Sequence, residues 1–149
     1  MRPSWARLSR TAADRLAVHG AGVALLIAAS VLPAPAAAPC ETPPGFAPRA
    51  RVEAAGVTVL FRTVPETIEV GRHFVVEAVV CPRAPGLRVD ARMPEHRHGM
   101  NYGPRVSARA DGVHVAEGLL FHMPGRWQLV FDVEHGGRTE RLVTDVVLE

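Results

Sequence analysis

An all-β sandwich is predicted by three features of the chain beyond residue 50. Apolar residues recur at every second position, turn-forming residues interrupt them, and no ten-residue stretch carries an apolar stripe of helical period. About seven strands fit the remaining length, with turns roughly every 8–12 residues, as in small β-sandwiches. A closed barrel is the rival arrangement.

The chain opens differently. Arg2, Arg7, Arg10 and Arg15 precede the apolar run AGVALLIAASVL, Ala21 to Leu32, and the small-residue tail PAPAAAP. A basic region, a short apolar core and an A-x-A site are the order of a secretory signal peptide, helical in its apolar part. The expected signal spans residues 1–38, with cleavage after Ala36 or Ala38. An uncleaved anchor is the alternative, but 12 apolar residues fall short of the roughly 18 a spanning helix needs. No twin arginine is present, and Pro39 stands where a lipobox wants Gly or Ala before Cys40. The expectation is export to the periplasm or cell envelope, with no transmembrane span after cleavage.

Charge follows the leader. The chain holds 17 Arg and no Lys against 15 acidic residues, yet residues 39–149 hold 13 Arg against 14 acids. The domain is therefore close to neutral, and nothing in it argues for a nucleic-acid partner. Its 111 residues suit one domain with one core.

A Pro-rich lead-in is expected over 39–54, beginning PCETPPGFAPRA, and the domain proper over 55–149. The predicted strands follow in order: 56–63, with a kinked continuation to Val70, then 73–81, 86–93, 104–110, 113–123, 126–134 and 138–148. Val57, Val59 and Phe61 alternate with Thr58, Leu60 and Arg62. Phe74, Val76, Ala78 and Val80 alternate with Val75, Glu77 and Val79. Leu87, Val89, Ala91 and Met93 alternate with Arg88, Asp90 and Arg92. Trp127, Leu129, Phe131 and Val133 alternate with Gln128, Val130, Asp132 and Glu134. Such alternation marks half-buried strands. Asp111-Gly112 and Gly136-Gly137 read as tight hairpins, and Pro65, Gly71, Pro82, Pro85-Gly86 and Pro124-Gly125 punctuate the rest. The whole reads as an immunoglobulin-like Greek-key sandwich of about seven strands, preceded by the signal helix.

Cys40 and Cys81 are the only cysteines. In an exported chain an even pair reads as one disulfide, and two thiolate metal ligands are the rival. Strands that run alternately up and down bring the start of the first and the end of the second to one end of the sandwich, where both cysteines lie.

The same rule gathers the loops 94–103 and 121–125 at the opposite end. The first is RMPEHRHGMNYGPR, Arg92 to Arg105, with His96, His98 and Met100. The second is Phe121-His122-Met123-Pro124-Gly125. Thioether and imidazole together suit copper, Cu(I) above all, and a thioether survives an oxidising compartment where a thiolate does not. The candidate metal ligands are His96, His98, Met100, His122 and Met123, with Met93 as a further candidate that equally suits a core plug. His96, His98 and Met100, two apart, share one side of an extended loop. Gly99 lets that loop bend, and Glu95 is placed to orient an imidazole. Tyr102 is placed to pack over or bond across the loop. Affinity requires neutral imidazoles and falls below about pH 6. His73 and His114 have no clustered partner, and His135 sits at the far end. Arg92, Arg97 and Arg105 flank the loop and raise the local potential against a cation. No catalytic motif is present, so binding is expected rather than turnover.

MPEHRHGMNYGP and GVHVAEGLLFHMPGRWQLVFDV resemble the YtkA-like domain, an immunoglobulin-like module of exported bacterial proteins. The resemblance covers about residues 55–148 and rests mainly on the pattern G-x-x-x-A-E-G-L-x-F-x-M-P-G-x-W. It implies a β-sandwich in the periplasm or on the cell surface, with no established enzyme activity. The Met/His loops are more loosely similar to those of periplasmic copper chaperones of cytochrome oxidase assembly. That similarity implies His98, Met100, His122 and Met123 as ligands and a respiratory, cytochrome-type metalloenzyme as acceptor. His122 and Met123 are adjacent where a His-x-Met spacing is usual. Adjacent strand residues face opposite ways, so joint ligation requires the Pro124-Gly125 turn to rotate Met123 outward. A metal-free protein-interaction module using the same loop end is the alternative.

Overall fold

The computed structural model describes residues 39–149, so the signal peptide expected over 1–38 lies outside the described residues. They form nine strands and no α-helix: β1 Ala50–Ala54, β2 Val57–Val64, β3 His73–Cys81, β4 Leu87–Met93, β5 His98–Gly99, β6 Arg105–Ala108, β7 His114–Leu120, β8 Gly125–His135 and β9 Arg138–Leu148. All pair antiparallel, in a five-stranded sheet ordered β1-β2-β3-β7-β6 and a four-stranded sheet ordered β5-β4-β8-β9. Among the described residues no helix is long and apolar enough to cross a membrane.

The period-two residues of both sheets meet in one core. Val57, Val59, Phe61, Phe74, Val76 and Leu119 come from the first sheet, and Val89, Ala91, Met93, Trp127, Leu129, Phe131 and Leu142 from the second. Burial is near complete: Val59, Val76, Leu119, Trp127 and Phe131 are inaccessible to within rounding. The barrel alternative is excluded by the two separate sheets.

Two strands are additional to the seven expected. β1 lies inside what reads in sequence as lead-in, which therefore ends at residue 49 rather than 54. Ala50, Val52 and Ala54 pack on the core while Arg51 and Glu53 face outward, so the alternation extends one strand further upstream. It is hidden by its turn: Ala55 and Gly56 both take positive φ (50° and 79°), a conformation an Ala-Gly pair does not advertise. β5 is two residues long, paired as Arg92↔Gly99 and Met93↔His98. Other boundaries contract: no strand continues from Val64 to Val70, and the 104–110 and 113–123 strands end at Ala108 and Leu120.

The lead-in that remains is packed. Its Pro43–Phe46 turn places Phe46 with Val79 and Val113 on the outer face of the five-stranded sheet, beside Leu60, Val115, Cys40 and Cys81. The Arg62 guanidinium lies 5.2 Å over the Phe46 ring. This second cluster explains why Val79 is buried against the alternation of β3. Cys40 and Cys81 are joined as a disulfide with Cα atoms 5.4 Å apart, which excludes them as thiolate ligands.

Candidate metal centre

The connections at the opposite end converge as the up-and-down order requires. The Gly71 N–H donates to the Phe121 carbonyl at 2.7 Å, tying the β2–β3 connection to the segment after β7. Tyr102, from the β5–β6 loop, approaches His73 at the start of β3, with Oη 3.5 Å from Nδ1.

The floor of this end is Trp127. The Phe121 ring stacks on its indole with centroids 4.5 Å apart, and the indole Nε1–H donates to the Met123 carbonyl at 3.0 Å. That bond holds the β7–β8 turn at its midpoint. Two imidazoles meet the indole at steep angles, His98 at 5.9 Å and His122 at 5.2 Å between centroids. The His98 and His122 rings are 5.1 Å apart, and His96 is 5.8 Å from His98. Three of the five predicted ligands are therefore gathered, from segments more than 20 residues apart.

The local backbone differs from the expected extended loop. Pro94–His96 forms a single 3-10 turn closed by Arg97 in the left-handed region, φ 56°. The two-residue repeat is thus not what groups His96 and His98; the turn brings them together and β5 fixes the second. Gly99 does not serve as a bend either. A Cβ there would stand 2.9 Å from the Ala91 carbonyl oxygen, so glycine is required for the close approach of β5 to β4.

Glu95 does not orient an imidazole. Its Oε1 accepts from Arg126 Nε at 3.1 Å and Nη2 at 2.9 Å. The orienting group is backbone: His98 Nδ1 lies 3.2 Å from the Gly99 carbonyl oxygen. A carbonyl can only accept, so a hydrogen bond here uses the tautomer with its hydrogen on Nδ1, in which Nε2 carries the lone pair, the usual arrangement behind a ligating histidine.

The sulfurs divide. Met93 is fully buried in the core and its Cε reaches the Gly125 backbone, where a Cβ would meet it at 2.9 Å, as suits the core plug. Met100 and Met123 are half-buried and pack against the edge of the core. Met100 is anchored by its N–H to the Ala91 carbonyl at 3.2 Å. His96 and His122 are exposed, His98 half-buried. Among the described residues no three His, Cys, Asp or Glu side chains are placed to hold a metal ion together. The half-buried thioethers of Met100 and Met123 lie at the same end, and thioether is a ligand type that suits a soft ion.

The arginines at this end differ in what they engage. Arg126 is paired with Glu95 and Asp145, contacts that raise its pKa further. Arg92 Nε donates to the Gln128 side chain at 3.1 Å, and Arg105 stands opposite Glu117 in register. Arg97, next to the 3-10 turn, is exposed, and like Arg92 and Arg105 it makes no ion pair among the described residues.

Trp127 and His73 are missed by the sequence reading. Trp127 reads only as one inward residue of its strand. Its third position after the turn at Pro124 was the available signal. His73 opens β3 at the same end as both loops, so topology alone puts it there. His114 resolves as structural: it is 7% exposed, and burial lowers its pKa, opposed by a hydrogen bond to the Ala84 backbone.

No family model and no solved structure matches the chain. It is similar to Butyrophilin-like protein 2 of Mus musculus, 29% identical over 90 residues. The alignment covers 60% of this chain and 19% of that protein, so the chain spans about a fifth of its length.

Proposed function

We propose that this domain is an exported, non-catalytic immunoglobulin-like module that binds copper, preferentially Cu(I), at its His/Met end. The observation that carries the reading is the His98–His122 pair, 5.1 Å between rings, over Trp127 with Met100 and Met123 on the adjoining core edge. His98 and His122 are the imidazole ligands, Met100 and Met123 the thioethers, and His96 an outer ligand on the rim. The two-sheet architecture, the disulfide and the similarity to a butyrophilin-like protein support the immunoglobulin-like assignment. The YtkA-like resemblance supports the exported setting, and delivery to a respiratory, cytochrome-type metalloenzyme is the role proposed for the bound ion. A copper carrier suits this surface: two exposed imidazoles allow the ion to leave by ligand exchange, and no buried cage retains it.

The test is a Cu(I) titration of the protein against a competing chelator. One-to-one binding is expected, weakened at least about tenfold in His98→Ala and in His122→Ala, as for loss of one ligand from a small set. Met100→Leu is expected to weaken Cu(I) while leaving stability within about 1 kcal/mol, since the two side chains are near in volume. Equal Cu(I) affinity in Met100→Leu removes the thioether from the site. Binding no tighter than that of an unrelated histidine-containing domain retires the metal. The second reading, a partner surface, would then stand on Tyr102, 48% exposed, beside Arg97 and Arg105.

A further inference from the structure

β9 is an edge strand of 11 residues, paired along its whole length with β8 from His135↔Arg138 to Gly125↔Leu148 without a register shift. Among the described residues its other side makes no backbone hydrogen bond. The remaining edges are short or covered: β1 has five residues and β6 four, and on β4 the Ala91 carbonyl takes the Met100 N–H while Asp90 Oδ1 takes the Ala91 N–H. β9 has no Pro, Gly, Lys or bulge, and the charges on its outward-bonding residues, Arg141 and Asp145, are of opposite sign. It also carries Val147, 70% exposed, the most exposed of the large apolar side chains.

The two-residue turn at Gly136-Gly137 makes His135 and Arg138 a hydrogen-bonded pair. By alternation, Arg138, Glu140, Leu142, Thr144, Val146 and Leu148 direct their backbone groups to β8. Thr139, Arg141, Val143, Asp145 and Val147 direct theirs outward.

We propose that β9 pairs antiparallel with β9 of a second copy about a two-fold axis through Val143, fusing the two four-stranded sheets into one of eight strands. Charge selects both occupant and register. An axis at Val143 sets Arg141 opposite Asp145 of the second copy twice over, and Thr139 opposite Val147. An axis at Arg141 or at Asp145 sets like charges face to face, and one at Leu142 or Thr144 leaves both charges opposite uncharged residues. Both groups have capacity to spare. Arg141 engages Asp132 through Nε and Nη2, at 2.7 and 2.8 Å, leaving Nη1. Asp145 accepts once on each oxygen, from Gln128 at 3.0 Å and Arg126 at 3.4 Å, of about four lone-pair sites. The pairing requires no metal.

Sedimentation velocity of the full chain is expected to show a concentration-dependent dimer, its dissociation constant raised at least about tenfold by Val143→Lys, which sets two ammonium groups at the axis. Val143→Cys is expected to cross-link on mild oxidation, because facing Cα atoms of such a pair stand about 5.5 Å apart, within disulfide reach. Val147→Cys, facing Thr139, is expected not to. A chain that sediments as a monomer at its highest soluble concentration overturns the proposal. So does a dimer indifferent to Val143→Lys, or cross-linking of Val147→Cys equal to that of Val143→Cys, even should the lysine variant fail to fold.

Discussion

At the scale of single residues, this end of the molecule is organised by Trp127. One aromatic side chain fills the end of the core, stacks on Phe121, underlies two imidazoles and fixes the Met123 carbonyl. Such a residue is hard to recognise from sequence, since an inward tryptophan on an alternating strand looks like ordinary core. The histidines were more legible because imidazoles and thioethers crowd two short loops. His114 shows the other use of the residue. Its pKa is lowered, chiefly by burial, so the folded protein binds fewer protons there than the unfolded chain below the ordinary histidine value of 6.5. Its contribution to stability is therefore complete above pH 6.5 and declines as pH falls through the lowered value. Urea unfolding at a series of pH values is expected to show this decline below 6.5, and His114→Gln to flatten it, whatever the variant's absolute stability.

At the scale of elements, the two-residue strand β5 is what positions His98. It exists because Gly99 lets the chain lie against β4, with the Met100 N–H closing onto the Ala91 carbonyl. Gly99→Ala would set a methyl 2.9 Å from a backbone oxygen that cannot swing away. A loss of about 1–3 kcal/mol is expected, as for overpacking elsewhere. Hydrogen exchange is expected to speed at Met100 more than at strands remote from β4, and Cu(I) affinity to fall with it. A uniform change in exchange across the domain would deny β5 this local role. The element pattern was largely readable in advance: seven strands lie close to their predicted spans because period-two burial is a property of sequence. β1 was not, because its turn carries Ala55 at positive φ, nor was β5, because two residues have no period.

At the scale of the whole molecule, the disulfide and Phe46 fasten the lead-in over the outer face of the five-stranded sheet. Replacing both cysteines with serine is expected to cost about 2–4 kcal/mol in denaturant unfolding, mostly by freeing the unfolded chain. Unchanged stability would mean that the apolar contacts of Phe46 suffice. What the sequence by itself determined was the strand class, the hairpins and the end of the sandwich at which the histidines and methionines collect, while the disulfide was favoured there over thiolate ligation and settled by the structure. Each of the first three follows from local periodicity, turn chemistry or the up-and-down order of strands. What only the tertiary structure decided was which members of that set meet. Met93 went to the core, Glu95 to Arg126, and His98 and His122 to the roof of Trp127. Those outcomes depend on distances between segments far apart in the chain, set by a 3-10 turn, a glycine contact and the packing of one indole, none of which has a sequence period.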